Sequence, residues 1–578
     1  MKRGAAGLWR RHGVAGALLL AVLVLAAALR LKGITYGLPY SFVNADESIV
    51  VPKAFQAARG HLNPQFFFYP SLYFYLVAAV YILATPVWWL LGHGSFLGTT
   101  SFVTDPGPYF LLGRLLSVAM GTASVYLVYR LGRDAFGRRT GLVAALLLSV
   151  APLHVAYSHM AVTDVTAVAF SLLALVLLHR AASAAGRQRE ESSSTAGQTD
   201  VAAGGVANPR SATTASRLLV LGAIAAGLAT STKYNLGMLV LPATVAAVYA
   251  CRPEADRRRG EGGRASLVWA RLLALRVYAP MAAAFVLASP FILLDAPHFI
   301  SDFVRQNRIM DRGWLGFENV GNGFWYNVTP NLTGAMGVVL VVLGAAGLGW
   351  AVWRRTRLDV MVAPYAIVYF VYIGTWKELA DRYLLVIVPL LILLAARCCL
   401  EVVEVLPRRR RVVAPLVGAL LFVAFVLPLT AAIAYDATLS GTDTREVARA
   451  WIQENVPAGA LIAVENYGPP LVREEDLDHY GDAGLDPVAY RLVRLKLPAP
   501  GVPERARDLD RLRERGVEYV VVSSRVRERV LAAPDVYPSI VDFYRRLEAE
   551  TELVKEFRSG PGERGPVLSL YRISDPGR

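Results

Sequence analysis

Cysteine is nearly missing. The chain has three, Cys251, Cys398 and Cys399, all in or beside apolar segments, which excludes a disulfide framework and a cysteine-rich zinc site. Charge is scarce as well: 18% of the residues are charged against 55% hydrophobic. Many apolar runs approach the length needed to cross a bilayer, and a soluble enzyme is excluded. Acid is scarcer than base, 45 Asp and Glu against 60 Lys and Arg, for a net charge of +15. That excess falls mostly in short loops between apolar runs, so positive-inside topology accounts for it and nucleic-acid binding is not needed.

What is present begins at the amino terminus. Lys2, Arg3, Arg10 and Arg11 precede the apolar run Val14 to Leu31. A signal peptide cut near Ala26-Ala27-Ala28 is one reading, but everything that follows stays membrane-embedded. An uncleaved first helix with a cytoplasmic amino terminus is therefore expected. Just past it lie the adjacent carboxylates Asp46-Glu47, within a stretch rich in aromatic and polar residues that reads as the floor of an active site.

Parity orders the rest. With Asp46 outside and the loop Arg130, Arg133, Arg138, Arg139 inside, only one of Ser71 to Leu91 and Tyr109 to Tyr129 crosses. Ser71 to Leu91, dense in Tyr and Trp and holding Pro86, is expected not to cross and to belong to one long outer loop, 32–108. Continuing by the same rules predicts about eleven crossings, a flexible cytoplasmic linker at 181–216, and a chain that leaves the membrane near residue 435 on the outside.

This topology gathers Asp46, Glu47, Asp164, Lys233, Glu318, Lys377, Glu378, Asp381 and Arg382 on the outer side. Ionisable residues at membrane depth are expensive and mark a functional site by default. For Glu318, Lys377 and Asp381 ordinary loop solvation is the expectation. Asp46, Glu47, His61, His159 and Asp164 could make an oxygen-rich or histidine-containing metal site. Apart from the adjacent pair, whose side chains diverge on a helix or strand, none has the short spacing of a preformed site, so metal-independent chemistry is expected.

From Asp436 onward charge rises and apolar runs shorten to strand length, marking a separate soluble domain over 436–578. A helix opening at Asp443 and running to Glu454, strands at Ala460 to Val464 and Val517 to Val522, and a basic helix Arg505 to Arg515 predict a small α/β layer structure. It carries no nucleophile motif, metal spacing or phosphate loop. Stabilisation or acceptor recognition is its expected task.

An outward-facing carboxylate among basic residues suits transfer of a sugar from a lipid phosphate to a hydroxyl or amine. Such transfer needs a base for the acceptor's proton and cations for the departing phosphate. Asp46 fits the base. Lys233, Arg382 and Arg114 fit the phosphate, with Tyr234 and Tyr383 beside two of these cations to pack against an isoprenoid.

The same residues carry a resemblance. Asp46-Glu47 after the first helix, Phe68-Tyr69-Pro70-Ser71-Leu72-Tyr73, Gly113-Arg114-Leu115, Ser158-His159-Met160-Ala161-Val162-Thr163-Asp164 and Lys233-Tyr234 resemble polyprenyl-phosphate-sugar-dependent glycosyltransferases of the GT-C fold. The branch is that of the protein O-mannosyltransferases and the lipid A aminoarabinose transferase. The resemblance spans roughly Val14 to Val403. It implies a catalytic role for Asp46 and a contribution of Asp164 to the same site. It implies a polytopic membrane protein with a lipid-linked sugar donor and an extracytoplasmic acceptor. Two departures stand out. The aminoarabinose transferases have a Lys-Pro-Pro element where this chain has Phe68-Tyr69-Pro70, so Lys233 or Lys377 would have to substitute. The eukaryotic mannosyltransferases carry an inserted β-trefoil domain that Asp295 to Pro330 is too short to hold. A flippase of lipid-linked sugars is the rival reading; it predicts internal repeats and broken midplane helices. No repeat is evident in the sequence.

Overall fold

The computed structural model describes residues 2–40, 44–92, 95–196, 209–260, 264–500, 502, 504–560 and 562–573. The amino-terminal three quarters is helical. Its first elements are α1 (Lys2–Leu31), α2 (Glu47–Ala58), α3 (Leu72–Leu90), α4 (Thr99–Thr104), α5 (Gly107–Phe136), α6 (Arg138–Ser149), α7 (Pro152–Ser158), α8 (Thr163–Ala196) and α9 (Pro209–Thr230). Among the described residues nine helices are long and apolar enough to cross a membrane, or up to eleven if each of two bent pairs is one span. The protein is a multi-pass membrane protein. One bent pair, α6 with α7, turns by 62° before Pro152; the other, Gly323–Met336 with Val338–Arg354, turns by 112° at Gly337, whose φ of 83° favours glycine.

The set of spans differs from the expected one in two places. Helix α3, expected not to cross, is apolar and long enough to do so. Its contacts explain both descriptions. The Tyr73 hydroxyl meets Ser117 Oγ at 2.8 Å and the Tyr81 hydroxyl donates to the Tyr109 carbonyl at 2.9 Å, so α3 runs antiparallel to the first half of α5 and overshoots its start. The chain beyond α3 then reaches the carboxyl-terminal domain, where Thr100 lies 3.4 Å from His479 Nδ1 and the Tyr480 hydroxyl donates to the Val103 carbonyl. The start of α3 is also near that side, with Leu72 N donating to the Ser231 carbonyl beside Lys233. The second difference is the helix Val388–Val405, expected to cross but less uniformly apolar because it carries Arg397, Glu401 and Glu404. Every residue from Val388 to Arg397 is buried, and Arg397 pairs with Asp359 and Glu401, so the helix stands in the middle of the largest hydrophobic core.

Where it is described, the expected flexible linker at 181–216 is helical, α8 continuing to Ala196 and α9 starting at Pro209; 197–208 lies outside the described residues. The helix Arg410–Leu439 carries the chain into the carboxyl-terminal domain. That domain is an α/β layer. Its strands are β1 (Thr442–Asp443), β2 (Leu461–Glu465), β3 (Val472–Arg473), β4 (Ala489–Leu495), β5 (Tyr519–Ser523), β6 (Glu552–Phe557), β7 (Glu563–Arg564) and β8 (Leu568–Arg572). Six of them form one sheet in the order β3-β4-β2-β5-β8-β6, parallel from β3 to β5 and antiparallel at β8 and β6. All five residues of β5, Tyr-Val-Val-Val-Ser, are buried, as a central strand covered on both faces requires. The loop after the membrane-side helix Ala296–Arg312 clamps the two parts: Leu315 enters the hydrophobic core of the domain beside Val526 and Val530. Asn319 Nδ2 donates to the Ala532 carbonyl at 3.0 Å, and the Tyr537 hydroxyl donates to Glu318.

Candidate active site

A cavity of about 680 Å³ lies between the two parts. Its floor includes Asp46, Phe68, Tyr69, Tyr157, Glu378 and Arg382; its roof comes from the carboxyl-terminal domain.

Asp46 faces this cavity because Asn44 does the capping. It occupies the N-cap position of α2 yet makes no side-chain capping bond. Instead Asn44 Oδ1 accepts from the backbone N–H of Asp46 at 2.9 Å and of Glu47 at 3.4 Å, leaving the Asp46 carboxylate to turn outward. There it accepts from the Tyr69 hydroxyl at 3.0 Å on one oxygen and from Arg382 on the other. Burial, and then the Asp46 charge, raise the Tyr69 phenol well above the ordinary tyrosine range, so it stays a donor. The segment that brings Tyr69 is pinned across the helix Ala296–Arg312, with Phe67 N donating to Asp302 and the Arg305 guanidinium over the Phe68 ring.

Arg382 also reaches Glu378 at 3.5 Å. Burial raises the Glu378 carboxyl above its ordinary range, Arg382 opposes this, and the Asp46 charge adds to it. Tyr383 stands between two cations, with Arg382 5.6 Å and Lys233 5.1 Å from its ring centroid. Lys233 in turn pairs with Asp164, both buried, behind Tyr383 and outside the cavity lining. Asp46, Arg382, Tyr383, Lys233 and Asp164 thus form one cluster, with Asp46 and Arg382 at its open edge.

Other expected site residues lie apart. Glu47, one position on, points away from the cavity into a fully buried pair with Arg114, whose Nε and Nη2 each meet a carboxylate oxygen at 2.8 Å. Arg114 Nη1 donates to the Ile34 and Tyr36 carbonyls, and the Ala161 N–H donates to Glu47. Both side chains are 1% exposed, so Arg114 offers no donor to a ligand in the cavity and Glu47 no carboxylate oxygen. Arg114, expected at the phosphate, here joins α5 to α2. Tyr234 donates to the Phe67 carbonyl and packs against Phe285, Phe299 and Phe303, turned from Lys233 toward an aromatic patch. Glu318, expected to be solvated, is held by Tyr537, and Asp381 is held by the Tyr157 hydroxyl. Lys377 is exposed.

The candidate metal ligands are scattered: Glu47 is with Arg114, Asp164 with Lys233, His61 is exposed, and His159 is buried against the Val155 and Lys32 carbonyls. Among the described residues no group of three or more His, Cys, Asp or Glu is placed to hold a metal ion. Sequence reasoning missed the roof. Glu465, Tyr467, Arg494, Arg525 and Arg529 cluster at the carboxyl ends of β2, β4 and β5. That is where open α/β sheets bind ligands, and the parallel order was the signal that could have found them.

Residues 110–190, from α5 into α8, match the family model described as dolichyl-phosphate-mannose-protein mannosyltransferase. No curated protein matches the sequence. ArnT from Cupriavidus metallidurans, in a crystal structure bound to undecaprenyl phosphate, superimposes with a TM-score of 0.50 at 16% identity, over 97% of this chain and 99% of that one. The chain has the ArnT fold. This is a GT-C glycosyltransferase fold, the one the motifs resemble. The archaeal oligosaccharyltransferase AglB from Archaeoglobus fulgidus, in complex with an inhibitory peptide and a dolichol-phosphate, is similar with a TM-score of 0.49 at 14% identity, over 97% of this chain and 74% of that one.

Proposed function

We propose that the protein is an integral-membrane glycosyltransferase that moves a sugar from a polyprenyl-phosphate carrier to an acceptor on the outer face of the cell membrane, with Asp46 as general base. On this reading the amino terminus is cytoplasmic and the carboxyl-terminal domain extracytoplasmic. The observation that carries it is the Asp46–Arg382 pair at the open edge of the cavity, steadied by Tyr69. A carrier phosphate competes with Asp46 for the Arg382 guanidinium. Once the phosphate has taken Arg382, Asp46 is released to accept a proton from the acceptor O–H or N–H. The acceptor lone pair then forms the bond to the anomeric carbon. The bond from that carbon to the phosphate oxygen breaks, and the electron pair leaves on the phosphate beside Arg382. The apolar tail of the carrier has a berth in the aromatic patch around Tyr234, where Phe303 is exposed.

The test is reconstitution of the purified protein in vesicles with a polyprenyl-phosphate sugar labelled in the sugar. The expected outcome is labelled acceptor and free polyprenyl phosphate in equal amounts. Labelled carrier that changes leaflet intact would contradict transfer and favour the flippase reading.

A further inference from the structure

The roof of the cavity carries positive charge that sugar transfer from the floor does not use. Arg525 and Arg529, on the helix Ser524–Leu531 that follows β5, flank the ring of Tyr467, each guanidinium 5.9 Å from its centroid. No carboxylate among the described residues forms an ion pair with either. The nearby acids are engaged: Glu465 with Arg507, the Ser523 N–H and Tyr544, and Asp443 with Arg445. Arg529 is held in place all the same, while Arg525 is exposed. Gly316 presses on the stem of Arg529, where a Cβ would meet Cδ at 3.1 Å. Tyr467 adopts a left-handed φ of 65°, and Gly468 behind it admits no side chain, since a Cβ would lie 2.6 Å from Val464. Partial desolvation, and then the charges of Arg445 and Arg529, lower the Arg525 guanidinium from the ordinary arginine value. Like charges converging on a cavity are costly in its absence and favourable in the presence of an anion.

We infer that Arg525 and Arg529, with Tyr467 between them, form an anion subsite that holds an acidic group of the acceptor, a phosphate or a carboxylate, against the roof while the sugar is delivered from the floor. The assignment to the acceptor rests on the proposed function. A carrier with one phosphate fills the Arg382 position and is tied to the membrane by its tail. A second cation set, on the domain above, therefore matches a second anion. Arginine suits it, because the planar guanidinium binds either oxyanion with two parallel hydrogen bonds.

The test uses the full chain in detergent, in an Arg382→Gln background that removes the floor cation, with inorganic phosphate and acetate as separate probes in calorimetric titrations. At least one probe is expected to bind, and the tighter one identifies the acid. Adding Arg525→Gln and Arg529→Gln should weaken that probe about tenfold or more. In the otherwise unaltered protein the same two substitutions should leave undecaprenyl phosphate binding within about twofold. If the double variant fails to fold, the single variants carry the test, each expected to weaken the probe about threefold. Binding of neither probe, or constants unchanged by the roof substitutions, overturns the subsite. Because the probes bind without any sugar transfer, this result is independent of whether the protein proves to be a transferase.

Discussion

Asp46 and Glu47 are neighbours with opposite fates, one turned to the cavity and one to Arg114. Adjacency alone predicts that their side chains diverge. Which of the two is left for chemistry depends on Arg114, 67 positions away on α5, and on Asn44 taking over the cap. The sequence therefore showed the pair and not its division. At this scale Arg382 is the residue whose removal should weaken the donor. Arg382→Ala is expected to cost about 1.5 to 3 kcal/mol in carrier affinity, with Arg382→Lys recovering part of it, read by competition with free polyprenyl phosphate. Glu378 gives a pH signature. Its raised carboxyl means that the folded protein holds the proton more tightly than the unfolded chain does. That stabilisation is complete below the unfolded value of about pH 4.3 and is lost as pH rises through the raised folded value. Melting temperatures measured from acid to neutral pH should fall in the parent relative to Glu378→Gln, which stays neutral. Parallel curves would contradict the assignment.

Pairs between elements hold the site together, and these were the least legible feature. Outer position suggested that Arg114 and Lys233 serve a phosphate, because a cation at an outer helix end reads the same whether it meets a ligand or a distant acid. The structure gives Arg114 to Glu47 and Lys233 to Asp164. Removing one partner of a fully buried pair leaves a charge without compensation. Arg114→Ala should therefore destabilise the protein by about 3 to 5 kcal/mol, and adding Glu47→Ala should recover much of that loss. Thermal unfolding in detergent checks it; a double variant no better than Arg114→Ala would contradict the reading of the loss as an uncompensated Glu47 charge. Helix α3 carries the opposite lesson. Its apolar length reads as a span, while its polar anchors, Tyr73 and Tyr81, set its course beside α5.

The fold class was legible at the scale of the whole molecule, since apolar runs and the change in composition after residue 435 both follow from where water is excluded. The roof was not. Arg494 and the Arg525–Arg529 pair lie on separate segments and share the cavity because parallel strands align their carboxyl ends. Sidedness is open to direct test: a reporter fused after Asp436 should be active only outside the cytoplasm, and one placed within 197–208 only inside. The opposite pattern would contradict the proposed topology. The central claim, that Asp46 is the base, is tested most directly by Asp46→Asn, assayed for donor binding and for transfer on the same purified sample. The asparagine keeps the size of the side chain and an acceptor for Tyr69 but cannot take a proton, and it weakens the hold on Arg382. Carrier binding should therefore be retained or tightened while transfer falls by roughly 100- to 10,000-fold. Transfer at the parental rate would contradict the account.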